Sequence, residues 1–253
     1  LQVKKALGLK KACHFGTLDP MVTGVLPIAL GKACRLSNYF MKKEKTYVGI
    51  MHLHVDISKE KLEEEIKNFT GKIKQLPPLR SRVKREERER EVYEFKILEK
   101  EEREVLFEVR CEAGTYIRKL VHDLGEKIGG AHMAELRRTK AGIFSENDRN
   151  FFNLYDFEKA VEEYKNGNEE KLRDMLIPGE IIIEVMPYVQ AKKEAIRQLL
   201  IGKPIFKKDL EEIPKEEPAP EAIPEANITE PAPEKVQENI TMQEPEVNIT
   251  ETN

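Results

Sequence analysis

The chain has 253 residues, 40% hydrophobic and 35% charged, with 43 Lys and Arg against 46 Asp and Glu and a net charge of −3. No apolar run is long enough to cross a bilayer, and no charged start leads into an apolar core with a small-residue cleavage site. Three widely spaced cysteines (Cys13, Cys34, Cys111) without a CxxC pair argue against a disulfide scaffold or a structural zinc site, and imply a reducing cytoplasm. The absence of GxxxxGKS/T and GxGxxG argues against a nucleoside triphosphate or dinucleotide enzyme.

The small net charge hides an asymmetry. Residues 211–253 carry 12 Glu, two Lys and neither Asp nor Arg, which leaves +7 on residues 1–210. A basic body favours a polyanionic partner.

The chain opens in mid-helix at Val3–Leu7, so an upstream element is expected to be missing. A loop rich in Gly and Pro follows, His14 to Pro27. Tyr47 to Leu53 is β-branched and aromatic enough for a strand. Lys59 to Phe69 reads as a helix, with Leu62, Ile66 and Phe69 on one face and Gly71 just past the end. Val92–Leu98 and Val105–Cys111 form two strands joined by a charged turn, Glu99–Glu104. An amphipathic helix spans Thr115 to Ile128, aligns Ile117, Leu120, Val121, Leu124 and Ile128, and stops at Gly129-Gly130. Further helices are expected at Phe157–Lys165, Glu169–Met175 and Lys192–Ile201. Hairpins alternate with helices, so the fold class is α+β with a mixed, largely antiparallel sheet flanked by helices and loops. From about residue 209 the chain is rich in Pro and Glu, with Glu-Pro-Ala-Pro-Glu at 217–221 and again at 230–234. That composition cannot bury enough apolar surface to offset its chain entropy and is expected to be disordered.

Three stretches carry chemistry. In His14-Phe15-Gly16-Thr17-Leu18-Asp19-Pro20, continued by Thr23-Gly24-Val25-Leu26-Pro27, glycines and prolines enforce a tight loop. Pro20 keeps Asp19 out of helical φ/ψ. A carboxylate so placed is either a turn-forming residue or a presented nucleophile or base. In Gly114-Thr115-Tyr116-Ile117-Arg118-Lys119-Leu120 a glycine precedes a helix whose Arg118 lies off the apolar face. The third stretch is Gly130-Ala131-His132-Met133-Ala134-Glu135-Leu136-Arg137-Arg138.

Together these stretches resemble the pseudouridine synthases of the TruB and dyskerin type. The first matches H-x-G-x-L-D-P-x-V-T-G-V-L-P, the second G-T-Y-I-R-x-L, and the third G-A-H-M-x-x-L-R-R. K-x-Y is matched at Lys45–Tyr47 and P-P-x-x-S-x-V-K at Pro77–Lys84. The resemblance runs from about residue 4 to residue 205.

It implies the pseudouridine-synthase fold and a set of roles. Asp19 matches the catalytic aspartate, which attacks the target nucleoside so that uracil detaches, rotates and rejoins the ribose through carbon. Arg118 matches a buried arginine paired with that carboxylate, which would oppose the rise in pKa that burial causes. Tyr47 matches the tyrosine that stacks on uracil and moves a proton. His14 matches a histidine against the flipped nucleotide, and Leu136 an apolar wall of the base pocket. Tyr116 is either a pocket residue or a core tyrosine, and Lys45 belongs to the substrate-binding K-x-Y element. No step needs a metal, nucleotide or organic cofactor.

The short connection between Lys84 and Val92, with Met51-His52-Leu53-His54, resembles the archaeal and eukaryotic branch. Its members act with an H/ACA guide RNA and small partner proteins, and archaeal ones also modify tRNA position 55 without a guide. Val55 replaces that branch's glycine. The implied layout is a catalytic domain at 1–185, N-terminally incomplete, then the start of an RNA-end-binding PUA domain at 186–208 and the acidic tail at 209–253. The expected function is isomerisation of uridine in tRNA or rRNA, in the cytoplasm and without a membrane. The alternative is a truncated, non-catalytic RNA-binding scaffold of the same ribonucleoprotein.

Overall fold

Alternation of buried and half-buried side chains along the second half of one nine-residue strand sets the centre of the molecule. In the computed structural model, which describes residues 2–77 and 84–211, the chain first forms α1 (Gln2–Ala6), β1 (Ala12–His14), β2 (Val22–Gly24), β3 (Ile28–Leu30), α2 (Ser37–Met41) and β4 (Lys45–Leu53). Then come α3 (Lys59–Lys67), β5 (Gly71–Gln75), β6 (Arg88–Glu101), β7 (Glu104–Cys111), α4 (Ile117–Ile128), β8 (Ala131–Ala141) and β9 (Phe144–Ser145). Helices α5 (Leu154–Lys165), α6 (Glu170–Asp174) and α7 (Ile196–Leu200) complete it. The chain divides into two units, Leu1–Tyr188 and Val189–Asn253. Residues 78–83 of the Pro77–Lys84 motif and the acidic segment from 212 onward lie outside the described residues.

The main sheet has the order β2-β8-β4-β7-β6-β5, with β9 on β8. Among the described strands of this sheet only β2 runs parallel to its neighbour, β8. The fold is therefore α+β with a mixed, largely antiparallel sheet. β4 lies between β7 and β8 and turns Met51 and Leu53 into the core. Gly49 is required there: a Cβ would stand 2.7–2.9 Å from Phe107, the Glu135 carbonyl and Leu136. Leu62 and Ile66 of α3 join Ile117, Leu120, Val121, Leu124 and Ile128 of α4 in the core that includes these strands. Each such side chain contributes roughly 1.5–3 kcal/mol on burial. α4 ends at Gly129, whose φ of 94° is the left-handed cap that a Cβ would penalise.

Several elements differ from the sequence pattern for visible reasons. β8 was not legible, because Ala-His-Met-Ala-Glu-Leu-Arg-Arg-Thr-Lys-Ala has one β-branched residue; pairing with β4 along almost its whole length makes it a strand. The β6–β7 turn is shorter than Glu99–Glu104, since the strands continue to Glu101 and restart at Glu104 around Glu102 at φ 47°. The segment Lys192–Ile201 divides into a 3₁₀ turn at Lys193–Ala195 and α7.

Helix α4 begins at Ile117 rather than Thr115 because Tyr116 is held extended. Gln75, 2% exposed, accepts from the Tyr116 N–H at 3.0 Å and donates its Nε2 to the Tyr116 carbonyl at 3.2 Å. One amide thus pins the start of the helix to β5. Gln75→Leu removes both of these hydrogen bonds, while the Tyr116 carbonyl keeps the one from the Leu120 N–H, and should cost on the order of 1–3 kcal/mol in urea unfolding. A loss below about 0.5 kcal/mol, within the scatter of ordinary surface substitutions, would contradict that pinning.

Candidate active site

The loop between β1 and β2 is clamped from three sides. Phe15 N–H donates to the Pro27 carbonyl at 2.9 Å, and Val22 N–H closes a turn on the Asp19 carbonyl at 2.9 Å. Beneath, the Phe15 ring stacks on Phe40 with centroids 4.9 Å apart, and Phe144 packs against both. The third clamp is Arg138 of β8, 1% exposed. It donates Nε to the Val25 carbonyl at 2.8 Å, Nη2 to that of Gly16 at 3.1 Å and Nη1 to that of Thr17 at 3.5 Å. Gly24, at φ 101°, lies so close to the Arg138 backbone that any side chain would collide with it.

This loop presents Asp19 to the first turn of α4. Arg118 Nη2 stands 3.7 Å from Asp19 Oδ2, and the two side chains are 54% and 52% exposed. The pair exists, but the expected burial of Arg118 does not. Position explains the difference: the apolar residues Ile117, Leu120 and Val121 take the core side of the helix and leave Arg118 on the solvent side. An open pair of this kind contributes no more than about 1 kcal/mol.

Tyr47 sits half-buried on the core face of β4, opposite Arg138 in the β4–β8 register. Burial pushes its hydroxyl above the ordinary phenol value. Cys111 and Asp19 add to the rise, and the Arg138 guanidinium, in hydrogen-bonding reach, opposes it. The phenol is therefore protonated at neutral pH and available as a donor. Leu136 of β8 is buried in the main core, opposite Gly49 of β4. Tyr116 is half-buried at the N-terminal cap of α4, just before the turn bearing Arg118. His14, at the start of the loop, has a buried Nδ1 with no hydrogen-bond partner among the described residues.

Lys45 is buried below the loop, and a Cβ on Gly16 would stand 3.7 Å from its Cε. Its ammonium donates to the Lys43 carbonyl at 2.5 Å and the Met41 carbonyl at 3.4 Å. Burial and then the neighbouring Arg138 charge lower its pKa to about 8. Arg138 and Gln75 escaped sequence reasoning. The signal for Arg138 was the alternation Leu136-Arg137-Arg138, which places a charge on the face of a core leucine once the stretch is read as a strand.

These features coincide with known proteins. Residues 4–60 and 54–117 match the family described as TruB family pseudouridylate synthase (N terminal domain), and 118–184 match the tRNA pseudouridylate synthase B C-terminal domain. The chain belongs to the TruB family of pseudouridine synthases. Within it, the likeness is to archaeal members. A probable tRNA pseudouridine synthase B of Methanopyrus kandleri is 50% identical over 202 residues, 79% of this chain and 59% of that protein. One from Methanocaldococcus jannaschii is 44% identical over 215 residues, 84% and 63%. A crystal structure of a Cbf5-Nop10-Gar1 complex superposes with a TM-score of 0.74 at 46% identity, covering 80% of this chain and 62% of that one. An H/ACA ribonucleoprotein bound to a substrate RNA containing 2′-deoxyuridine gives 0.72 at 42% identity, covering 81% and 62%. The chain thus spans about 60% of the length of these relatives.

Lys45 gives the site a pH signature. Its folded value of about 8 lies below the unfolded 10.5, so between these values the unfolded chain holds a proton that the folded chain lacks. Stability therefore rises with pH across that window. Cys111, which burial pushes up to about 12 from 9.0, works in the opposite direction above pH 9. Comparison of Lys45→Met with the parent largely cancels the Cys111 contribution. The parent should gain on the variant by roughly 1 kcal/mol per pH unit between pH 8.5 and 10 in urea unfolding. A difference independent of pH would contradict the burial of a titrating amine.

Proposed function

We propose that the chain is the catalytic part of an RNA pseudouridine synthase, an isomerase acting on uridine in the psi loop of tRNA, in rRNA, or in both. One observation carries the reading: in a chain of this family, the loop carboxylate of Asp19 meets the Arg118 cation at 3.7 Å beside the protonated Tyr47 phenol. Asp19 attacks the target nucleoside. The bond from the ribose carbon to N1 breaks, the uracil turns, and a bond to C5 forms with release of the Asp19 carboxylate, while a proton leaves C5 and N1 gains one. Tyr47 stacks on the uracil and moves the proton, Leu136 walls the base pocket, and His14 and Tyr116 lie against the nucleotide. Lys45 supports the binding loop from below. Residues 1–185 form the catalytic domain, 186–208 open a PUA domain, and 209–253 form the tail.

The names of the related complexes support assembly with small partner proteins and an H/ACA guide RNA. The absence of CxxC pairing supports a cytoplasmic setting. The openness of the Asp19–Arg118 pair favours one second reading, a non-catalytic scaffold of the same ribonucleoprotein.

The test is incubation with uridine-labelled tRNA, and with guide RNA, partner proteins and rRNA target, followed by mapping of pseudouridine. Activity in at least one arm is expected. Asp19→Asn should abolish it while leaving RNA affinity within about twofold, because the amide keeps the shape and removes the nucleophile. No pseudouridine in any arm, with RNA still bound, would leave the scaffold reading. Residual activity within about tenfold of the parent would remove Asp19 from its role.

A further inference from the structure

Three of the five histidines gather at one end of the sheet, away from the loop of Asp19. His52 and His54 are two residues apart along the same extended segment, so both leave the face opposite to the buried Met51 and Leu53. His132 of β8 is the cross-strand partner of His52. On its other side, His52 is paired with Glu104 of β7. The backbone continues this alignment past the end of β4, where His54 N–H donates to the Gly130 carbonyl at 2.9 Å.

The side chains converge. His54 Nε2 and His132 Nδ1 face each other at 2.9 Å. One of them must carry the proton, and neither can be replaced by a second donor without loss of the contact. The ring centres of His52 and His132, and of His54 and His132, are 5.2 Å apart. Two imidazoles on one tetrahedral zinc ion, with each nitrogen about 2.0–2.1 Å away, have centres separated by roughly 5 Å. The third separation, His52 to His54, is 6.3 Å, so closure on an ion asks the His52 ring to shift toward His54 while its Nδ1 stays on Glu104. Its partly exposed position permits that.

Two further features orient the rings. His52 Nδ1 contacts Glu104 Oε1 at 2.5 Å, which leaves Nε2 for a ligand. A carboxylate on the far nitrogen of a histidine fixes the tautomer and raises ligand basicity, as at most histidine metal sites. Gly130, at φ 117°, has no side chain, and any Cβ there would collide with His54 Nδ1. The glycine makes the space in which the His54 ring lies with its Nε2 toward His132.

We propose that His52, His54 and His132 form a binding site for a divalent transition-metal ion of the zinc class, with Glu104 orienting His52 and water completing the coordination. The ion takes the place of the proton shared between His54 and His132 and cross-links the end of β4 to β8. The site is separate from the uridine chemistry and stands or falls independently of it. A second group of donors, His122, Asp123 and Glu126, lies on the surface of α4, where Asp123 is already paired with Lys119. It serves as the internal control.

The full chain, stripped with a chelator, is titrated with Co²⁺ and then with Zn²⁺. One Co²⁺ per chain is expected, with the visible absorption of a four- or five-coordinate nitrogen site and no near-ultraviolet thiolate band, and Zn²⁺ should displace it. Affinity should fall at least a hundredfold in His132→Ala and in His54→Asn, and about 10–100-fold in Glu104→Gln. His122→Ala should bind as the parent does. The two histidine variants are both exposed-site changes, so failure of one to fold leaves the other to decide. Saturable binding absent below about 1 mM, equal binding by His132→Ala, loss of binding in His122→Ala, or a thiolate band pointing to Cys13 or Cys34 would each overturn the proposal.

Discussion

One buried guanidinium ties three carbonyls of the Asp19 loop to the sheet. Arg138 is almost wholly buried, and its acceptors are the carbonyls of Gly16, Thr17 and Val25. Burying a charge is costly unless dipoles or counter-charges replace its water. Here the loop supplies those dipoles, so the loop conformation and the burial of the charge depend on each other. Gly24 follows from the same constraint, since a Cβ there would collide with the Arg138 carbonyl, whereas Gly16 answers to its φ of 130°. Lys45 also follows from it: a second cation beside Arg138, under the same loop, is pushed toward its neutral form.

On this support the chemical groups remain open to water. Asp19 and Arg118 are both about half exposed and sit 3.7 Å apart. In high dielectric such a pair interacts weakly, and exclusion of water strengthens it severalfold. The arrangement therefore gains most of its electrostatic force when a ligand covers it, as the proposed action on RNA requires. Tyr47 differs. Its burial belongs to the sheet, and its protonation is set before anything binds.

The family resemblance singled out Asp19, Tyr47 and Arg118 because motifs are local properties, as is the glycine and proline punctuation around Asp19. The amphipathic helix at 117–128 was legible for the same reason, through its apolar face. What escaped was non-local. β8 looks charged and helix-prone in isolation and becomes a strand through its ladder with β4. With it went the recognition that Arg138 shares the side of Leu136, and that Gln75 of an unassigned strand would fix the start of α4. The exposure of Arg118 was legible from the helix face itself; the resemblance to a family with a buried arginine pointed the other way.

The central claim is that Arg138 holds the Asp19 loop specifically, rather than the core in general. Hydrogen exchange compares the parent with Arg138→Lys, which keeps the charge but cannot span three carbonyls. Loss of about one charge-assisted hydrogen bond corresponds to at least roughly tenfold faster exchange. The account predicts that acceleration at Phe15, Val22 and Val25, whose amides close the loop, with the β6–β7 hairpin still protected. Unchanged exchange in the loop, or equal acceleration in loop and hairpin, would contradict it.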